Sequence, residues 1–122
     1  MCHEPLNVST KLHSETHLDK ALNYIHNNYI YDINVVDIAN YVGIDRTYLY
    51  KIFMNYKNTS PLQYLINYRL SVAKKLLIET EYSVTEIIYS CGFKDAPTFY
   101  KHFKKRLNMT PLEYREENIN AL

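Results

Sequence analysis

The sequence predicts an all-α protein in which two similar subdomains are joined by one long linker helix, with about seven helices in total. Three observations predict this fold class. The chain of 122 residues has only two glycines and four prolines, so few residues interrupt helices. Apolar residues recur at the three-and-four spacing of amphipathic helices. A pattern of about 50 residues also occurs twice, which is typical of a repeated architecture.

The N-terminal part of the chain predicts a tail followed by a helix. Residues 1–15 are polar and aperiodic, so we predict a flexible tail or the end of a linker. Thr16, with Asp19 three residues later, is a helix-capping pattern and predicts a helix that continues to about Ile30. Cys2 and several histidines lie nearby, but their spacing does not match a zinc site. We therefore predict no metal and no cofactor.

The next segment predicts a helix-turn-helix, completing a first subdomain over residues 16–60. A short helix over residues 35–42 is predicted between the capping residue Asn34 and Gly43, because a glycine after a helix usually adopts the left-handed conformation that ends it. Asp45 is the predicted cap of a second helix, residues 46–57. A short helix, a glycine-centred turn and a second helix together form a helix-turn-helix. The predicted buried face of the second helix consists of Leu49, Ile52, Phe53 and Tyr56.

Residues 61–79 predict the linker helix. Ser60 and Gln63 have the spacing of a reciprocal capping box, and Pro61 suits the first helical position. At 1.5 Å per residue this helix is roughly 28 Å long, comparable with one turn of B-DNA at about 34 Å. Its predicted apolar stripe consists of Leu62, Leu65, Ile66, Leu70, Ala73, Leu76 and Leu77.

Residues 80–122 repeat the order of the first subdomain and predict a second helix-turn-helix. The predicted helices are residues 84–91, 96–107 and a short final helix. Their predicted caps are Ser83 with Glu86, Asp95, and Thr110 with Glu113, and the predicted turn residue is Gly92. Gly92 follows Gly43 by 49 residues, after which the offset is 50. Pairs at that offset include Tyr50 and Tyr100, Lys51 and Lys101, Phe53 and Phe103, Asn58 and Asn108, and Pro61 and Pro111.

Charge is unevenly distributed along the chain. Residues 1–45 hold two Lys/Arg against six Asp/Glu, a net charge of −4, whereas residues 46–79 hold six against one, a net charge of +5. Residues 80–122 hold six of each, with a basic cluster between acidic flanks. A single cluster is most often a solvated helix face. Two basic segments at equivalent repeat positions favour a surface that binds a polyanion.

Other features exclude several classes of protein. No run of 18 apolar residues or secretion signal occurs, and the two cysteines, Cys2 and Cys91, form no CxxC motif. We therefore expect no contact with a membrane and a cytoplasmic location. No phosphate-binding glycine loop, zinc set or nucleophile–base pair is evident, so we predict no catalytic residues and no enzymatic activity.

Two helix-turn-helix units can each place a second helix in the major groove of duplex DNA, where base edges are distinguishable. The residues predicted to lie near bases are exposed positions on the first two turns of these helices: Arg46, Thr47, Tyr50, Lys51, Ala96, Pro97, Tyr100 and Lys101. The lysines among them suit either guanine or phosphate, and either tyrosine could instead pack on a neighbouring helix. The predicted phosphate contacts are Asn55, Lys57, Lys104, Lys105 and Arg106.

Two features of the linker helix have simpler interpretations. Lys74 and Lys75 suit a solvated outer face, and Arg69 suits a contact with a helix terminus rather than with DNA.

The competing hypothesis for the whole chain is a helical protein-interaction module whose basic faces bind an acidic partner. It predicts that replacing Lys51 and Lys101 leaves DNA affinity unchanged.

The chain resembles a known family over residues 18–115, and two stretches carry the resemblance. The stretch GFKDAPTFYKHFKKRLNMTPLEYR in the second unit and YRLSVAKKLL in the linker helix are similar to motifs of the DNA-binding domain of AraC/XylS-family bacterial transcription regulators. The resemblance implies a seven-helix fold, no metal, sequence-specific binding to double-stranded DNA, and regulation of promoters, often through RNA polymerase. It supports the base-region positions of the first unit, and Pro97, Tyr100 and Lys101 of the second.

The chain departs from the family at a few positions. The family commonly has glycine where this chain has Asn58 and Asn108, and often a small polar residue where it has Tyr50 and Tyr100. The 122 residues do not include the sensory and dimerisation domain that is usual in the family. Either the chain is a short stand-alone regulator or it is the C-terminal piece of a longer one, and the polar N-terminus favours the second alternative.

Overall fold

The computed structural model describes residues 8–120, all of whose regular elements are helices. In chain order they are α1 (Val8–Asn28), α2 (Val35–Val42), α3 (Arg46–Lys57), α4 (Pro61–Glu79), α5 (Val84–Ser90), α6 (Ala96–Leu107) and α7 (Pro111–Asn120). The all-α fold class and the seven helices of the prediction are confirmed within this range. No helix there is long and apolar enough to span a membrane.

Most of these helices begin after the capping residues that the sequence predicted. The side chains of Asn34, Asp45, Ser60 and Asp95 each accept a hydrogen bond from the backbone N–H three residues later. The boxes at Asn34 and Thr110 are reciprocal. The box predicted at Ser60 is not, because the Gln63 side chain instead accepts a hydrogen bond from Arg106.

Residues in the left-handed conformation follow α2, α3, α5 and α6. Gly43 and Gly92 have φ angles of 88° and 95°, and Asn58 and Asn108 have φ angles of 56° and 53°. Asparagine tolerates this region better than most other residues. The two asparagines therefore end α3 and α6 in the same way, and the repeat is visible in the backbone as well as in the sequence.

The start of α1 differs from the prediction. The helix begins at Val8, so residues 8–15 are helical rather than a flexible tail, and Thr16 lies inside the helix rather than capping it. Residues 1–7 lie outside the described range. The early turns of α1 are anchored by Ser14, which is 3% exposed and whose Oγ lies 3.3 Å from the hydroxyl oxygen of Tyr48 in α3.

Two hydrophobic cores lie on either side of α4. The first consists of Leu18, Ala21, Ile25, Ile38, Ala39, Val42, Leu49, Ile52, Phe53 and Leu65. The second consists of Ile66, Leu70, Ala73, Leu77, Ile87, Ile88, Cys91, Phe93, Phe99 and Phe103. Leu65 and Ile66 are adjacent in α4 but belong to different cores. The part of α4 that packs in the first core therefore gives way within one turn to the part that packs in the second. The N-terminal turns of α4 belong to the first unit and the remainder to the second.

Two predicted core positions are wrong. Tyr56 of α3 is 37% exposed and Leu62 of α4 is 49% exposed. Both lie at the margin of an apolar stripe, where the helix period alone does not decide how far the neighbouring helices reach.

Candidate nucleic-acid interface

The exposed face of α3 carries all four base-region residues that the sequence predicted for the first unit. Arg46, Thr47, Tyr50 and Lys51 are exposed, while Leu49, Ile52 and Phe53 on the opposite face fill the first core. Tyr50 is 51% exposed, although large aromatic side chains are usually buried for most of their area. The core therefore fixes α3 from one side and leaves these side chains available on the other.

The face of α6 repeats this arrangement with different chemistry. Pro97, Tyr100 and Lys101 are exposed, whereas Ala96 is half-buried against the second core. The ring of Tyr100, 43% exposed, packs edge-on against Phe99 with ring centroids 5.7 Å apart. A contact with a buried neighbour restricts the tyrosine rotamers. The Tyr–Lys pair thus occupies the same exposed position in both units.

An open groove of about 430 Å³ lies beside the first of these faces. It runs between the N-terminal turns of α2, α3 and α4. Its walls include the predicted contacts Arg46, Thr47 and Tyr50, together with the exposed side chain of Leu62. Leu62, which the sequence placed in the core, is therefore part of the surface next to α3.

The predicted phosphate contacts divide into two groups. Asn55, Lys57, Lys104 and Lys105 are exposed and extend the two faces along α3 and α6. Arg106 is half-buried and donates hydrogen bonds to the side-chain oxygens of Asn67 and Gln63 in α4. Since its guanidinium already contacts α4, the geometry disfavours the predicted phosphate contact and instead favours a role in holding α6 against α4.

Histidine side chains near both faces have lowered pKa values. Partial burial, and secondarily the charge of Lys57, lowers the pKa of His26, whose Nε2 lies 2.9 Å from the hydroxyl oxygen of Tyr64 and whose ring stacks on Tyr68. Partial burial, followed by the charge of Arg106, lowers the pKa of His102. Both imidazoles therefore favour the neutral form in the folded protein.

The structure also contains two arginine contacts that join helix ends. Arg69 of α4 donates hydrogen bonds to the carbonyls of Tyr29 and Tyr31, both at 2.9 Å. Arg115 of α7 donates to the carbonyls of Leu77 and Tyr82 at 2.8 and 2.7 Å. The sequence predicted the first contact in kind, as a helix-terminus contact. It gave no signal for the second.

The chain is similar to known helix-turn-helix proteins. Residues 38–117, more than half of the chain, match the family model described as a helix-turn-helix domain. The chain belongs to the AraC/XylS-type helix-turn-helix family. The predicted resemblance is thereby confirmed.

Several relatives of this AraC/XylS-type chain are regulatory proteins. The raffinose operon transcriptional regulatory protein RafR of Pediococcus pentosaceus is 35% identical over 109 residues, which are 89% of this chain and 39% of RafR. The lactose operon transcription activator of Staphylococcus xylosus is 37% identical over 80% of this chain and 35% of its own length. The chain thus spans less than half of these two relatives.

Two solved structures of similar fold are matched over nearly their whole length. A transcriptional regulator with an AraC-type DNA-binding domain from Chromobacterium violaceum is 33% identical, with a TM-score of 0.77 over 86% of this chain and 94% of that one. The DNA-binding domain of the global transcriptional factor AdpA, solved in complex with a target DNA, is 26% identical. Its TM-score is 0.75 over 83% of this chain and 90% of that one.

Proposed function

We propose that this AraC/XylS-type chain binds specific sequences of duplex DNA, with α3 and α6 in successive segments of the major groove, and so regulates transcription. The observation that carries the proposal is the repeated exposed pair, Tyr50–Lys51 in α3 and Tyr100–Lys101 in α6, each opposite a filled core. A repeated unit with a repeated exposed face is suited to a ligand that itself repeats along its length, as the DNA double helix does.

Within this proposal the residues have different tasks. Arg46 can donate two parallel hydrogen bonds to the acceptors of a guanine, and Tyr50, Ala96, Pro97 and Tyr100 offer apolar contacts to thymine methyl groups. Thr47 suits either kind of base contact, and Lys51 and Lys101 suit guanine acceptors or phosphates. The exposed Asn55, Lys57, Lys104 and Lys105 suit phosphates, which add affinity and salt dependence without sequence information. We assign Arg106 to positioning of α6 instead.

The proposal extends to the domains and partners of the whole protein. RafR and the lactose activator are regulators more than twice as long as this chain. We infer that the native protein carries an N-terminal sensory or dimerisation domain before α1, works in the cytoplasm without enzymatic activity, and acts on RNA polymerase at its promoters.

The experiment that tests DNA binding begins with selection of bound duplexes from a random library. The selected duplex is then titrated by fluorescence anisotropy at several salt concentrations, against a scrambled duplex. We expect the selected duplex to bind about 10³-fold or more tightly than the scrambled one, with affinity falling steeply as salt rises. Equal affinities for the two duplexes would refute sequence-specific binding.

Matched lysine variants separate this function from an interaction module for an acidic protein. Lys51→Ala and Lys101→Ala should each weaken binding to the selected duplex and reduce the salt slope by about one. Lys20→Ala, at an exposed position of α1 and so outside α3 and α6, should leave both quantities unchanged. Unchanged DNA affinity in the Lys51 and Lys101 variants would favour the acidic protein partner.

A further inference from the structure

The two turn glycines have different surroundings although they occupy equivalent repeat positions. Both have positive φ angles, which glycine adopts without strain. A Cβ atom at Gly43 would have no atom within 4 Å. A Cβ atom at Gly92 would overlap the backbone carbonyl of Tyr29 and lie 2.9 Å from Nε of Arg69. Gly43 is therefore needed only for the turn, whereas Gly92 also permits a close approach.

This close approach joins the two units through their backbones. Tyr29 follows the last residue of α1 and belongs to the first unit, while Gly92 lies in the turn that leads to α6 in the second. Arg69 lies between them, because its Nε donates to the Tyr29 carbonyl and also lies beside Gly92. We call Tyr29, Arg69 and Gly92 the inter-unit contact.

A neighbouring ion pair connects the same two segments. Lys94 Nζ lies 2.9 Å from a carboxylate oxygen of Asp32, and both side chains are 69% exposed. An exposed pair of this kind contributes little to stability. It shows, however, that the loop after α1 and the turn before α6 run side by side over more than one residue.

The inter-unit contact supplies a constraint that α4 alone does not. In the first core α4 contributes one buried residue, Leu65, with Tyr64 and Tyr68 packed at its edge, whereas it contributes four buried residues to the second core. Because fewer buried side chains of α4 enter the first core than the second, the first unit has more freedom to tilt about α4. The backbone contact at Gly92 fixes a second point, and two separated points limit that tilt.

We propose that Arg69 and Gly92 are positioning residues that hold α6 at a fixed separation and angle from α3. The chain then selects its DNA by the distance between two half-sites as well as by their sequences. This inference rests on the proposed function. It concerns residues outside α3 and α6 that contact the backbone of the first unit.

The test uses two pairs of matched variants. Asparagine tolerates positive φ, as Asn58 and Asn108 do in this chain. Gly92→Asn and Gly43→Asn therefore share the backbone strain of a positive φ, but only Gly92→Asn separates the inter-unit contact, because a Cβ atom at Gly43 has no atom within 4 Å. Arg69→Gln removes a bond across the units, whereas Arg115→Gln removes an equivalent contact that lies within the second unit.

The readout is the affinity for duplexes whose half-site spacing differs. Each variant is titrated against the selected duplex, against the same duplex lengthened by about five base pairs between half-sites, which is half a turn of DNA, and against each half-site alone. When both units bind together, the linked second unit raises affinity about 100-fold or more. We expect the wild type to prefer the correct spacing by about that factor.

The expected result for Gly92→Asn and Arg69→Gln is a spacing preference reduced at least tenfold, with affinities for single half-sites unchanged. Gly43→Asn and Arg115→Gln should keep the wild-type preference. A wild-type preference retained by Gly92→Asn and Arg69→Gln would overturn the positioning role. If the wild type instead binds selected and scrambled duplexes equally, the proposed function itself fails, which is a distinguishable outcome.

A distance measurement keeps the inference testable if Gly92→Asn does not fold. Spin labels are placed at the exposed residues Asn40 in α2 and Ser90 in α5 in a Cys2→Ser background, without DNA. We expect one narrow distance distribution in otherwise wild-type protein and in Arg115→Gln, and a broad one in Arg69→Gln. A broad distribution in the wild type, or a narrow one in Arg69→Gln, would contradict the inference.

Discussion

Nε of Arg115 in α7 donates a hydrogen bond of 2.8 Å to the carbonyl of Leu77, 38 residues earlier near the end of α4. Arg69 makes the corresponding bond of 2.9 Å from α4 to Tyr29, just beyond the end of α1. In both cases a guanidinium holds the backbone at the end of an earlier helix, α1 for Arg69 and α4 for Arg115. The positions are not repeat-equivalent, because the two arginines are 46 residues apart whereas the surrounding helices repeat at 50.

Replacement of Arg115 by glutamine should lower the free energy of unfolding by about 2 kcal/mol. Charge-assisted hydrogen bonds contribute more than neutral ones, and the carbonyls of Leu77 and Tyr82 would lose their donor. Urea denaturation followed by circular dichroism measures the change. Lys75→Gln, at an exposed position of α4, is the control and should alter stability by less than about 0.5 kcal/mol. Equal effects of the two substitutions would contradict this account of Arg115.

Arg46 and Lys57 should differ in how their loss affects DNA recognition. Arg46→Ala should cost about 1–3 kcal/mol at one guanine position and relax the preference there, because it removes a bidentate base contact. Lys57→Ala should weaken binding to selected and scrambled duplexes alike. Titration against a set of single-base variants of the selected duplex measures both effects. A uniform loss in Arg46→Ala would move Arg46 to the phosphate contacts.

The thiol of Cys91 should be unreactive in the folded protein. Burial among apolar side chains raises its pKa to about 12, so almost no thiolate forms near neutral pH, and the thiolate is the reactive species. In a Cys2→Ser background, we expect reaction with an aromatic disulfide reagent to be slow in buffer and fast in concentrated urea. Rapid labelling of the folded protein would show that the second core opens readily.

Stability should fall as the pH decreases from 7 towards 5. The pKa values of His26 and His102 are lowered in the folded state, chiefly by burial, from an ordinary value of 6.5. Between that value and the lower folded pKa the unfolded chain binds more protons, so acidification favours unfolding there and has no further effect below the folded pKa. Urea midpoints measured between pH 5 and 8 test this window.

The double variant His26→Gln with His102→Gln is the control for the pH series. Its urea midpoint should change less between pH 5 and 8 than that of the wild type, because the two histidines with lowered pKa values are gone. The window lies above the range in which Asp95 and Glu113 titrate, since hydrogen bonds from backbone N–H groups lower the pKa values of both carboxylates. A pH response as steep as that of the wild type would assign the effect to other groups.

The amino-acid sequence by itself determined the features that depend on neighbouring residues. Asn34, Asp45 and Asp95 lie three residues before the N–H groups that they cap, so short-range spacing predicted the starts of α2, α3 and α6. Gly43 and Gly92 predicted the turns, because positive φ is a property of the single residue. The exposed face of α3 also followed from helix period.

Only the tertiary structure decided the features that depend on residues far apart in the chain. The start of α1 at Val8 accompanies a contact between Ser14 and Tyr48, which are 34 residues apart. Arg106 contacts α4 rather than lying free for a phosphate, and Gly92 lies against Tyr29 of the other unit. Spacing along a helix predicts which face is apolar, but it does not predict which distant backbone or side chain will meet that face.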